Sequence, residues 1–407
     1  MNNSIQNLIK QKYTGKLKLI AGKGGLSNRI TDCGILDYEL DKSLKDKYTY
    51  SNFHEDQFIL SSFLYAKNNP FLIGDAVKYL VSKGAAGIAI KNIFNLPIHE
   101  SIVRYADSKD FPIFIFEDTT LFFENIVIDV KDYMRSMERA NFDEEIIDTL
   151  LYQNLSQAEV KENSLKLNPS ICNQFVSVNV STMDSSNLPE FSIFMKRYNE
   201  SSFMKPAHSI HQYRNGLIFL YSSDMLDEKQ LNEEYDDLFN EILEKDNYSI
   251  GISNPHYYLS ELHIAIRESM AASRYHKFEN LLWKGFDSFY YKLKSHKYVE
   301  YSTLGLYKLV LPLVENSYYQ TFSNEILEPL IEFDAENKGN LFETLVNLVQ
   351  CEGNIHTLKS VMDQHENTLR YRLQKITNII GLNYRIPQDY EQLSMAVKIF
   401  IASQDNY

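Results

Sequence analysis

The side chains best suited to chemistry with another macromolecule lie between Asn354 and Gly381. Asn367, Thr368, Arg370, Tyr371, Arg372 and Lys375 crowd into one short stretch, with His365 just before them. Amide, hydroxyl and guanidinium groups match the donors and acceptors of DNA base edges, and fixed cations match phosphates. On this reading Asn367, Thr368 and Arg372 contact base edges. Arg370 and Lys375 anchor phosphates, with Asn354 and Thr357 adding contacts from the preceding segment. His365 serves as a cap or phosphate contact. Tyr371 either touches DNA or packs against a neighbouring helix.

Two helices must position these groups. Asn354 is a good N-cap for a short helix reaching Met362, because its side chain can take an orphan backbone N–H. A break at Asp363–Glu366 follows. Leu369, Leu373, Ile376 and Ile380 then recur at i, i+4, i+7 and i+11, one apolar stripe of a second helix. Gly381 is its natural stop. A helix packed on one side and polar on the other suits the major groove.

The remaining chain sets limits. Its 407 residues allow two to four domains. No apolar run approaches a membrane span, and Met1-Asn2-Asn3-Ser4 has no signal-peptide character. Cys33, Cys172 and Cys351 are far apart and make no C-x-x-C pair, so we expect structural thiols in a reducing cytoplasm. A net charge of −13 argues against general coating of nucleic acid. That charge is uneven. From 340 to 407 the six basic residues (Lys359, Arg370, Arg372, Lys375, Arg385, Lys398) nearly balance seven acidic ones, leaving −1 there and −12 elsewhere. DNA binding should therefore be local and sequence-dependent.

Upstream, 16–40 mixes short apolar runs with turns at Gly22–Gly25. From Phe58 strand and helix patterns alternate: strands at 58–60, 87–90 and 112–116, helices at 73–82, 100–108 and 121–139. That alternation predicts a parallel sheet. Residues 141–168 read as a polar helical connector. Strands at 174–180, 217–221 and 248–252 and a helix at 259–278 predict a second α/β domain, and the chain beyond Tyr301 reads as all-helical. The expected division is 1–135, a connector over 136–168, 169–300 and 301–407.

Several other clusters invite chemistry. Gly22-Lys23-Gly24-Gly25 lacks phosphate-loop spacing and reads as a tight turn. His208 and His211 have metal-like spacing but no third ligand, and read as exposed histidines. His54-Glu55-Asp56 reads as a loop. No metal site, cofactor or catalytic triad is expected. The aromatic residues Tyr290, Tyr291, Tyr318, Tyr319 and those of 111–123 read mostly as core, with an effector pocket lined by 111–123 as the alternative reading of that segment.

The C-terminal blocks Tyr301–Leu309, Leu327–Asp334, Leu341–Leu345 and His365–Leu373 together resemble the helix-turn-helix region of the PucR/CdaR family of bacterial transcription regulators. Leu19–Gly22, Leu26–Ile30, Gly84–Gly87 and Phe111–Ile113 resemble that family's N-terminal domain. Ser249–Ile252 and Tyr257–Ala272 resemble its GGDEF-like middle. The resemblance implies an N-terminal α/β sensor-like domain, a degenerate GGDEF-like α/β domain and a C-terminal all-α helix-turn-helix domain. It also implies double-stranded operator DNA, a second copy of the chain, a small-molecule effector and RNA polymerase as partners, with no membrane. Relatives govern purine, sugar-diacid or amino-acid catabolism.

The departures are specific. Active GGDEF domains hold Mg²⁺ and nucleotide with carboxylates, whereas here the hairpin reads Tyr213–Ile218 and the first strand carries Asn179. Cyclase chemistry is therefore not expected. Glu366 stands where a basic residue is usual, Gln364 where an apolar one is common, and Leu358 where the two helices meet. Two alternatives follow: an interaction module with a lapsed helix-turn-helix, and a nucleotide-processing enzyme on the middle domain.

Overall fold

The computed structural model describes residues 3–40, 53–182, 197–201, 204–227, 248–284, 298–314 and 316–403. The chain forms two compact units, 1–143 and 144–407.

In the first unit, helix α1 (Ile5–Lys12) and strand β1 (Lys18–Ala21) precede β2 (Asp32–Ile35) and β3 (Gln57–Ser61). Then come α2 (Leu72–Ser82), β4 (Gly87–Lys91), α3 (Glu100–Ser108), β5 (Ile113–Phe116) and α4 (Phe123–Tyr152). The sheet order is β1-β5-β4-β3-β2. Strands β2 to β5 are parallel, as the alternation predicts, but β1 joins antiparallel to β5. Phe58, Ile59 and Leu60 are all fully buried because helices cover both faces. One face packs against Ile73, Ala76, Val77 and Leu80 of α2. The other packs against Ile5 and Leu8 of α1 and Ile126, Val130, Tyr133 and Met137 of α4.

The glycine turn is structural. Gly22 has φ 72°, and a Cβ there would lie 2.0 Å from the Phe111 carbonyl oxygen. Its N–H donates to Asp107 Oδ1 at 2.6 Å. A Cβ on Gly24 would lie 1.9 Å from Asp110 Oδ1. Protein carboxylates thus occupy the space a bound phosphate would need.

The second unit begins within α4. After α5 (Gln157–Leu167) come β6 (Gln174–Thr182), the hairpin β7 (Ser209–Tyr213) and β8 (Gly216–Ser223), and β9 (Tyr248–Ile252). Helix α6 (Leu262–Lys284) and β10 (Val299–Glu300) follow. The sheet order is β10-β9-β6-β8-β7, with only β10 and β9 parallel. The segment read as a polar connector contributes Ile146, Ile147, Leu150, Leu151, Val160 and Leu167 to a core beneath this sheet. Small residues let α6 approach closely. A Cβ on Gly251 would lie 2.0 Å from the Ser273 nitrogen, and the Ser177–Ser269 and Ser181–Ser273 hydroxyl pairs are each 2.9 Å apart.

His208 and His211 are buried, not exposed as expected. Strand alternation turns His211 and Tyr213 inward, His211 bonds the Ser209 hydroxyl, and His208 lies against the Tyr221 ring. Among the described residues no cluster of three potential metal ligands exists. Nor is any helix among them long and apolar enough to cross a membrane. The cysteines are free thiols. Tyr318 is 75% exposed and so is not core. Tyr290 and Tyr291 lie outside the described residues.

From Tyr307 the regular elements among the described residues are all helices: α7 (Tyr307–Leu313), α8 (Ser317–Asn337), α9 (Leu341–Gln350), α10 (Ile355–Met362), α11 (Glu366–Ile380) and α12 (Pro387–Ser403). Their apolar faces share one core, which also takes in Ala272 of α6 and Val299 of β10.

Candidate nucleic-acid interface

Helices α10 and α11 form the bihelical motif. The Asn354 side chain accepts from the His356 and Thr357 N–H groups at 2.9 and 3.2 Å, as the N-cap reading requires. Helix α10 ends at Asp363, whose φ of 48° reverses the chain. His365 then caps α11, its Nδ1 accepting from the Asn367 N–H at 3.3 Å. Gly381, with φ 83°, closes α11. Leu358, the large residue at the helix crossing, is fully buried.

The seat of α11 is the stripe Leu369, Leu373 and Ile376, all buried, with Ile380 half-buried. Each of the three contributes about 1.5–3 kcal/mol of apolar burial. The opposite side carries Asn367, Tyr371, Gln374 and Asn378, again at i, i+4, i+7 and i+11, and all are exposed. Thr368 is exposed beside them, and Tyr371 is 69% exposed, so its ring does not pack into a neighbouring helix. Gln374 and Asn378 share a 3.2 Å hydrogen bond along this face. Neither was among the expected contacts, although their spacing from Asn367 was available to find them.

The cations are held in three different ways. Arg370 pairs with Glu366 one turn earlier, its Nε 2.9 Å from Oε1. That hydrogen bond holds the Glu366 carboxyl below the usual range and raises the Arg370 guanidinium. Lys375 lies 4.5 Å over the Phe333 ring of α8. Arg372 is half-buried and donates to the Thr344 hydroxyl of α9 at 3.4 Å. It therefore flanks the core instead of standing on the exposed stripe. Lys359 and His356 of α10 are exposed, and both lower the Glu366 carboxyl. They were not anticipated as contacts.

A polar helix face seated by a buried stripe, behind a capped helix and a tight reversal, defines a helix-turn-helix. Residues 341–399 match the PucR C-terminal helix-turn-helix domain, and residues 7–133 match the purine catabolism regulatory protein-like (PucR) family. The chain therefore carries both the N-terminal and the C-terminal domain of PucR-type regulators. The DNA-binding transcriptional activator AdeR of Bacillus subtilis (strain 168) is 29% identical over 85 residues, which are 21% of this chain and 20% of that protein. The match thus spans about a fifth of that relative's length. A regulator of polyketide synthase expression from Bifidobacterium adolescentis aligns at 14% identity and TM-score 0.29, covering 66% of this chain and 99% of that one.

Proposed function

We propose that this chain is a cytoplasmic, sequence-specific transcription regulator of a catabolic or metabolic operon, tuned by a small metabolite. The observation that carries the reading is the exposed polar stripe of α11 within a matched helix-turn-helix. Asn367, Thr368 and Gln374 would read base edges, with Tyr371 among them; all four are exposed on one face of α11. Asn367 and Gln374 carry the amide that pairs bidentately with adenine. Arg370, Lys375, Lys359 and the capped N-terminus of α10, with Asn354 and Thr357, suit phosphates. Arg372 reaches a base only by releasing Thr344, and a 3.4 Å bond is weak enough to exchange.

The chain acts as a dimer or higher oligomer on paired half-sites, and through RNA polymerase. The middle sheet is a scaffold, for which GGDEF-like remains our description. Its Asn179 is buried and turned to the Leu217 carbonyl, 3.5 Å away. Genome-wide occupancy of the native protein tests the whole proposal. Discrete sites lost in an Asn367→Ala, Gln374→Ala variant support it, and absence of discrete sites for the parent rejects it.

A further inference from the structure

The four parallel strands of the first unit end on one edge, and the loops leaving that edge are unusually apolar. Of the eight large hydrophobic residues exposed among the described residues of this unit, six lie there: Ile35, Tyr38, Leu64, Phe71, Ile93 and Phe122. Phe71 is 72% exposed. Monomeric proteins seldom gather apolar surface in this way without a partner for it.

The loops are tied to one another side by side. The Phe71 ring stacks on His99 at 4.9 Å, and Lys67 lies 5.3 Å over Phe94, joining the β3 and β4 loops. Lys91 lies 4.9 Å over Phe122 and donates to the Leu121 carbonyl at 2.7 Å, joining the β4 and β5 loops. The result is a braced surface that suits a macromolecule.

Charge identifies the occupant. Along the edge the order is β5, β4, β3. The β5 loop carries Glu117 and Asp118, and the β3 loop carries Lys67, on either side of the β4 loop with Ile93. A two-fold axis normal to the sheet through the β4 loop exchanges the outer two loops. It would set Glu117 and Asp118 against Lys67 of the partner subunit twice over, with Phe122 against Leu64 and Phe71, and Ile93 against itself. Such self-complementarity is the requirement of an isologous interface. We infer that this edge docks a second copy of the chain, edge to edge. The inference rests on the reading of the protein as a paired DNA reader.

The test uses the full chain without DNA, so its failure is distinct from failure of DNA reading. Sedimentation at micromolar concentration should show the parent as a dimer. Lys67→Glu alone and Glu117→Lys alone should each weaken association by about tenfold or more, since each places like charges opposite one another twice. Mixing the two variants should restore it, because both charge pairs are then opposite in sign. Ile128→Glu, an exposed site off the edge, should associate as the parent does. A monomeric parent, single variants that dimerise normally, or a mixture that fails to recover would overturn the inference.

Discussion

Arg372 turns its guanidinium back onto the Thr344 hydroxyl, 3.4 Å away on the neighbouring helix. This long, weak contact rests the half-buried side chain beside the exposed stripe of α11. If Arg372 leaves Thr344 to grip a guanine edge, Arg372→Ala should remove about 1–3 kcal/mol of sequence discrimination. Thr344→Val should leave operator affinity unchanged. Competition binding with point-altered sites measures both. Equal loss of melting temperature in both variants, with discrimination intact, would assign Arg372 to packing alone.

Glu366 holds Arg370 through an intrahelical ion pair at the start of α11. Replacing Glu366 with Gln removes a negative charge from the proposed DNA-facing end of α11 and frees the guanidinium. Binding should tighten, and the slope of log affinity against log salt should steepen by about 0.9 for the one added phosphate contact. The helix itself should be slightly less stable, because a carboxylate beside the helix N-terminus is lost. An unchanged salt slope would place Arg370 away from the phosphate backbone.

His256 sits between Glu261 and Glu268, its ring nitrogens 3.2 and 3.1 Å from their carboxylates. Burial, the largest influence, opposes its charge, but the two glutamates together outweigh it and raise its pKa. Its stabilising contribution is complete below the ordinary imidazole value of about 6.5 and fades as pH rises through the raised folded value. Nearby His263 is shifted down by burial, then by Arg267 and His256, so its own dependence lies on the acid side. Thermal unfolding above about pH 6.5 should therefore show a decline in stability that His256→Gln abolishes. A decline of equal size in the variant would assign it to other groups.

The middle sheet should perform no nucleotide chemistry. Its hairpin presents Arg214, whose guanidinium lies 5.4 Å from the Tyr152 ring and 3.6 Å from Asp148. That arrangement ties the hairpin to α4 through a cation, and among the described residues no cluster of three potential ligands could hold a divalent ion. Purified protein incubated with GTP and Mg²⁺ or Mn²⁺ should yield neither cyclic dinucleotide nor pyrophosphate. Either product would restore the enzymatic alternative.

Residues whose role depends on local period were legible in the sequence, and those whose role depends on distant partners were not. The 3.6-residue stripe gave α11, and Asn354 and Gly381 gave helix boundaries. The same period places Arg372 three residues after Leu369 and four before Ile376, on the flank of the core. Residue type alone does not distinguish it from the exposed cations nearby. Ile146, Ile147, Leu150 and Leu151 form an apolar stripe masked by the acidic run Asp143-Glu144-Glu145 beside it. Ser209–Tyr213 lacks a hydrophobic run, so the strand that buries His211 was not apparent. Gly22 read correctly as a turn, but nothing local announced that Asp107 would cap it.

One helix-turn-helix buries only about 600–1,000 Å² on DNA, a small base for affinity. Here the region around the motif is nearly neutral and the rest of the chain is acidic, so nonspecific attraction adds little. Useful binding should come from two tethered copies, each increasing the local concentration of the other. Footprinting should show two half-sites separated by about one helical turn, ~10 bp, or a multiple of it. Inserting about half a turn between them should sharply weaken binding by the parent. The Lys67→Glu variant should bind weakly to either spacing and lose this dependence, since its two readers are no longer joined. A parent that binds an isolated half-site as tightly as the full operator would mean that one reader suffices.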